Sequence, residues 1–482
     1  MALLQPKKPK RKKEILGARS LFFFLFSSSS NYDEPQGLLL LFSSSTLFQC
    51  LHGRDACNML TEKENWFDQN LDHFSPTDHS TFKQRYFEYL GYYKPPEGPI
   101  FLLVGGESEQ IGIGKSFYTE LAEKFGAAIV SIEHRYYGKS TPYKELTTEN
   151  LKYLSSKQAI FDLAVFRQYY QELLNAKYNV SETENRWFVI GGSYSGGLAA
   201  YFRLKFPHLT CGAYASSAAL IAIYNFTEYD QQIGTTAGPE CKTVLQEITH
   251  LVDEQLNSDR QSIKELFGAS KIDNDDDFRF LVADAAALSL QYGFHDFVCD
   301  LLVNAKKNGS DILEAYADYV KNVANQGIFG VTLEYYDRLY LKDPTSGNSA
   351  YRLWWFYICS EMGYFLVAPQ NDSIRSTKLD ERYNLDFCKD IFGEGVYPDS
   401  DMANTYYGGR KFAGSRVIFT NGSQDPCRHI SKQTSSKDLP SYMVECNGCA
   451  HGIDVLGCPY APEDTKGIAN FLSFDPSYVE TN

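Results

Sequence analysis

Acyl-transfer nucleophiles are built from a serine among small residues at the end of an apolar run, and residues 189–202, VIGGSYSGGLAAYF, hold two candidates. A nucleophile on a strand-to-helix turn needs small neighbours two residues before and two after it, because the turn folds those positions together. Ser193 has Gly191 and Ser195 there, and Ser195 has Ser193 and Gly197, so size does not choose. Position does. The run Trp187–Ile190 predicts a strand and Leu198–Phe206 predicts a helix, which puts Ser193 third after the strand, where a nucleophile elbow carries its serine. Ser195 falls about half a helical turn further on and fills the small-residue position. A helix opening after Ser193 would aim its N–H groups and positive dipole end at the serine oxygen, with the Tyr194 N–H as one oxyanion donor. The structural alternative is a glycine-rich turn around a hydrogen-bonded serine.

A serine nucleophile needs a base, and the base needs an orienting acid. When Ser, acid and His follow in that chain order, the arrangement is the one used on α/β-hydrolase sheets. Asp425 comes just after the apolar run Val417–Thr420, in NGSQDPC. His429 is four residues beyond it, too close to reach back from a separate loop. His451, in CNGCAHGIDV, is 26 residues on, which leaves room for a crossover before a last predicted helix, Pro462–Phe474. Ser193, Asp425 and His451 are therefore the expected triad.

These side chains need a scaffold. Gly98–Glu107, Ala127–Gly138 and Arg186–Gly197 each carry a short run apolar on both faces, the pattern of buried strands in a mainly parallel sheet. Between them, Lys115–Phe125 and Ser155–Tyr178 repeat apolar residues at helical spacing. The alternation predicts an α/β unit. From about Asn225 to Ser400 the text is helical instead, with amphipathic stretches at Lys242–Leu256, Asp277–Gly293 and Asp311–Asn325. The strand-and-turn pattern returns at Ser415–Cys427.

The 482 residues predict more than one lobe. With 46 Lys and Arg against 60 Asp and Glu, the net charge of −14 argues against nucleic acid as a partner. Eleven cysteines and five sequons, at Asn179, Asn225, Asn308, Asn371 and Asn421, point to export, disulfides and glycosylation. Asn421 sits in the stretch read as catalytic and is not expected to carry a glycan. Cys446 and Cys449 form a lone C-x-x-C near His451, for which a disulfide is favoured over a metal or redox site. KKPKRKK (7–13) precedes two apolar runs, 21–26 and 37–48, neither of the roughly 18 residues a bilayer span needs. The second run resembles a signal-peptide core, with cleavage expected between Ser43 and Cys57.

GGSYSGGLAAYFRLKFPHL, IEHRYYGKSTP, NWFDQNLDHFSPTDHSTFKQRYF, NGSQDPC and AHGIDV, in that set and order, resemble the S28 serine peptidases. The likeness runs from about Trp66 to Phe474, and its opening motif is most similar to the thymus-specific branch and its plant relatives. The resemblance implies a targeting segment (1–60), an α/β-hydrolase core in two parts (61–224 and 406–482) and a helical cap inserted at 225–405. It implies hydrolysis next to proline near a peptide terminus, by Ser193, Asp425 and His451, with no cofactor and no metal. It implies a Cys359–Cys388 disulfide in the cap. The expected partners are proline-containing peptides, with a homodimer as a further expectation and a lysosomal, vacuolar or extracellular location. Two positions depart from the family pattern: Ser195 where glycine is common, and Cys427 where an aromatic residue follows the acid and proline.

Other residues carry weaker expectations. The Gly105–Gly106 loop is expected to supply oxyanion contacts, and Glu107 or Glu109 to bind a substrate amino terminus or stay a solvated carboxylate. EHRYYG (133–138) reads mainly as structure, with Arg135 paired to an acid and Tyr136 and Tyr137 near the site. An esterase or lipase on the same fold is the alternative activity, although no HGGG-type oxyanion loop is present. A binding protein with a decayed site is the third reading.

Overall fold

The computed structural model describes residues 59–181, 184–346 and 349–456. The expected signal segment, Cys50, Cys57, Cys458 and the last predicted helix lie outside these residues. The elements of the first part are β1 (Met59–Thr61), β2 (Glu64–Asn70), β3 (Thr81–Tyr89), β4 (Ile100–Val104), β5 (Ile113–Gly114), α1 (Phe117–Phe125), β6 (Ala128–Ile132), α2 (Ser156–Tyr178), β7 (Trp187–Gly192), α3 (Ser193–Lys205) and β8 (Gly212–Ser216). A helical segment follows, and β9 (Val417–Gly422) and β10 (Ser441–Val444) close the sheet.

Eight strands form one sheet in the order β10-β9-β8-β7-β4-β6-β3-β2. β3 pairs antiparallel with both β2 and β6, and every other pairing is parallel. β4 and β6 are buried at every residue, which is why their text is apolar without alternation. β2 and β3 bury the polar residues Gln69, Gln84 and Arg85 among apolar ones, and this antiparallel edge is absent from the sequence reading. The sheet is the mixed, mostly parallel core of an α/β-hydrolase.

Between β8 and β9 the larger elements are helical: α4 (Thr227–Ser258), α5 (Arg260–Leu266), α6 (Asp275–Gln291), α7 (His295–Lys307) and α8 (Ile312–Gln326), and later helices at Ser349–Tyr357, Glu381–Phe392 and Ser400–Tyr407. α4 starts 15 residues before the predicted stretch. It bends at Gly238, whose φ of 73° precedes Pro239. Two disulfides join helices in this segment, Cys359–Cys388 and the unanticipated Cys241–Cys299. One apolar cluster runs from the sheet into it, taking in Leu102 and Trp187 on strands and Phe280 and Trp355 on helices.

Candidate active site

β7 runs directly into α3. The helix begins at Ser193, five residues before the predicted start, so Ser193 is its first residue and follows the strand without a spacer. Ser193 holds φ 56°, a left-handed conformation that a serine adopts only under constraint from its surroundings. Part of the constraint is Gly191: a Cβ there would stand 2.1 Å from the Ser195 carbonyl oxygen. The Ser195 hydroxyl is engaged locally. It donates to the Gly192 carbonyl at 2.8 Å and accepts from the Gly192 N–H at 3.1 Å. Ser195 thus closes the turn that presents Ser193.

Asp425 and His451 meet next door. Asp425 follows β9 and caps the 3₁₀ turn Pro426–Ile430, accepting from the Cys427 N–H at 2.8 Å. His451 Nδ1 lies 3.0 Å from each Asp425 carboxylate oxygen, and both residues are buried. This contact fixes the tautomer that leaves Nε2 as the basic nitrogen. Backbone contacts carry the His451 loop across the sheet. The Gly452 N–H donates to Ser217 Oγ at 2.9 Å, the Gln424 N–H to the Cys449 carbonyl at 2.8 Å, and the His451 N–H to the Gln291 carbonyl at the end of α6 at 2.8 Å. The loop passes so close to β9 that a Cβ on Gly422 would come within 2.3 Å of the Ala450 carbonyl. Asp454 anchors its far side, accepting from Tyr214 and from Ser216 Oγ at 2.6 Å.

The register brings the pieces to one place. Gly192 pairs with Ser216 and Ser216 with Thr420, so the carboxyl ends of β7, β8 and β9 lie side by side. That edge is where open α/β sheets gather their functional loops. Burial disfavours the His451 imidazolium, and the charge of Asp425 outweighs it, holding the pKa well above the ordinary histidine value. Burial pushes the Cys427 thiol up, so it stays protonated near neutrality. His429 lies apart, 3.4 Å from the Gln232 side chain, and burial lowers its pKa.

The weaker expectations separate. Gly106 packs against Ser195, whose Cβ is 3.9 Å from where a Gly106 Cβ would be. Glu109 is spent on Arg85, at 2.9 Å, whereas burial raises the Glu107 carboxyl and the charge of His451 lowers it. Arg135 does pair with an acid, Asp162, at 2.6 Å, and Tyr136 donates to the Asn150 carbonyl. The Tyr194 hydroxyl meets His134 Nε2 at 2.9 Å, and its ring packs on Tyr357 and Trp354. Cys446 and Cys449 are disulfide-bonded, so their thiols are not free for a metal. Asn179, Asn225, Asn308 and Asn371 are exposed, and Asn421 is fully buried with its amide donating to the Lys432 carbonyl. Gln291 supports the loop through its backbone carbonyl, which no side-chain pattern marks, and Asp454 stands in the AHGIDV stretch without a role read for it from the sequence.

The serine carboxypeptidase S28 family model matches residues 69–471. Among similar proteins, the probable serine protease EDA2 of Arabidopsis thaliana is 52% identical over 423 residues, covering 87% of this chain and 86% of that one. The thymus-specific serine protease of Mus musculus is 28% identical over 439 residues, covering 84% of each chain. The lysosomal Pro-X carboxypeptidase of Mus musculus is 27% identical over 423 residues, covering 81% of this chain and 83% of that one. The chain belongs to the serine carboxypeptidase S28 family and is a serine-type peptidase.

Proposed function

We propose that the protein is a serine exopeptidase that cleaves peptide bonds next to proline, with Ser193 as nucleophile, His451 as general base and Asp425 as its orienting acid. The observation that carries the reading is the buried His451–Asp425 pair at the carboxyl ends of β8 and β9, beside a strand-to-helix turn whose first residue is a serine at positive φ. In acylation, His451 Nε2 takes the Ser193 proton as Oγ attacks the carbonyl carbon, and returns it to the leaving amine. Water then repeats the sequence on the acyl-enzyme. Asp425 steadies the imidazolium that each step creates. The Tyr194 N–H, in the open first turn of α3, and the Gly105–Gly106 loop are the oxyanion donors in this reading.

Glu107 serves as the anchor for a substrate amino group, since Glu109 is taken by Arg85. The helical segment, 225–405, acts as the cap between core parts 61–224 and 406–482, and supplies the half-buried Trp354, whose ring packs against the buried Tyr194 and Tyr357. The accessible part of Trp354 suits a proline ring. The disulfides, the four exposed sequons and relatives named as lysosomal support a secretory route ending in lysosome, vacuole or outside the cell.

The test is hydrolysis of matched peptide-Pro-Xaa and Xaa-Pro-peptide substrates by the purified chain and by Ser193→Ala. Cleavage at one proline-adjacent bond, lost in the variant, is expected. Equal cleavage of alanine-substituted peptides contradicts the proline preference, and turnover of simple esters alone favours the esterase reading. Glu107→Gln is expected to raise KM for substrates with a free amino terminus and to leave N-acetylated ones unaffected.

A further inference from the structure

Cys427 is the unusual member of the site. It sits two residues after Asp425 on the turn that Asp425 caps, half-buried, with a free thiol. Its Sγ, one Asp425 oxygen and one His451 nitrogen all lie within 4.8 Å of one another. We propose that Asp425, Cys427 and His451 form an inhibitory site for a borderline-soft divalent cation, with Zn²⁺ the best match. The inhibitory part rests on His451 being the general base, and the binding part does not.

The donors argue for the ion. Thiolate, imidazole and carboxylate are the side chains Zn²⁺ takes, and three protein ligands leave the fourth tetrahedral position to water. The Asp425 oxygens are already 3.0 Å from Nδ1. Oxygen and nitrogen ligands of one tetrahedral Zn²⁺, with bonds of about 2.0–2.1 Å, stand roughly 3.3 Å apart. Sulfur, with a bond of about 2.3 Å, stands roughly 3.6 Å from them, so the Sγ separations, at most 4.8 Å, need to close by about 1.2 Å or less, within the reach of one side-chain rotation. Asp425 and His451 are buried, so the half-buried Cys427 is the side from which an ion arrives.

Binding is a proton exchange. The Cys427 thiol gives its proton to solvent as the Sγ–metal bond forms, and where His451 carries two ring protons one of them also leaves to solvent before its nitrogen binds. If the ion takes Nδ1, that nitrogen's proton moves to Nε2, which can then no longer accept one from Ser193. If the ion takes Nε2, the basic lone pair is used directly. Either way the base is lost, reversibly, and binding tightens as pH rises.

Co²⁺ is the probe, because thiolate ligation gives it a charge-transfer band in the near ultraviolet whether or not the enzyme turns over. Titration of the full chain is expected to give the band with one equivalent of Co²⁺, discharged by Zn²⁺ or by EDTA. Cys427→Ala should abolish it, and so should the size-matched Cys427→Ser if the alanine variant does not fold. Cys211→Ser, which removes the other free thiol among the described residues, should keep it. Zn²⁺ should inhibit peptide hydrolysis, with an inhibition constant raised at least about 100-fold in Cys427→Ala, the upper end of what even outer-shell changes cost in metal affinity. Absence of the band in the unmodified chain, or its survival without Cys427, overturns the proposal. A band without any effect of Zn²⁺ on hydrolysis leaves the ion site standing and removes His451 as the base.

Discussion

At the scale of the residue, the account turns on His451. Asp425 holds its pKa above the ordinary value of about 6.5, so the neutral base appears only at higher pH. The limb of kcat/KM against pH should therefore rise above about 6.5, as read with an uncharged peptide substrate. Stability should move the other way. A raised folded-state pKa contributes stability in full below about 6.5 and loses it as pH climbs through the folded value. The difference in unfolding temperature between the unmodified chain and Asp425→Asn should then narrow as pH increases. The same variant leaves the imidazole in the wrong tautomer and should lower kcat by about 10⁴-fold, measured under saturating substrate.

At the scale of the element, the β7–α3 junction does the positioning. Gly191→Ala drives a Cβ into the Ser195 backbone, a clash that should cost about 1–3 kcal/mol of stability in denaturant unfolding and most of the activity. Ser195→Ala removes only the local pair with Gly192 and should reduce stability by about 1 kcal/mol while hydrolysis continues. The buried strands around this junction were legible because residues covered on both faces must be apolar, and the strand-to-helix turn because its neighbours must be small. The helix start at Ser193 was not, since Ser-Tyr-Ser-Gly-Gly is poor helix text and the start is imposed by packing on β8. The antiparallel β2–β3 edge and the Gln291 and Asp454 supports were hidden for a related reason. Their roles come from partners far away in sequence, and nothing local marks them.

At the scale of the whole molecule, the helical segment and the sheet share one apolar cluster, and α6 reaches the His451 loop through Gln291. The segment's own integrity should thus matter to catalysis. Removing the Cys241–Cys299 disulfide, which spans 58 residues, should lower stability by about 4 kcal/mol from released chain entropy, measured by denaturant unfolding of the double alanine variant. The helical text between the two stretches of strand text was readable, because its amphipathic spacing marks it. How the two parts join was not readable, since it depends on side chains from both.

The central claim is that Ser193, not Ser195, carries the acyl group. Reaction with a fluorophosphonate followed by peptide mapping in a mass spectrometer tests it most directly. The account predicts a single adduct on Ser193, absent in Ser193→Ala and in His451→Ala. An adduct on Ser195, or one that persists in Ser193→Ala, would contradict it.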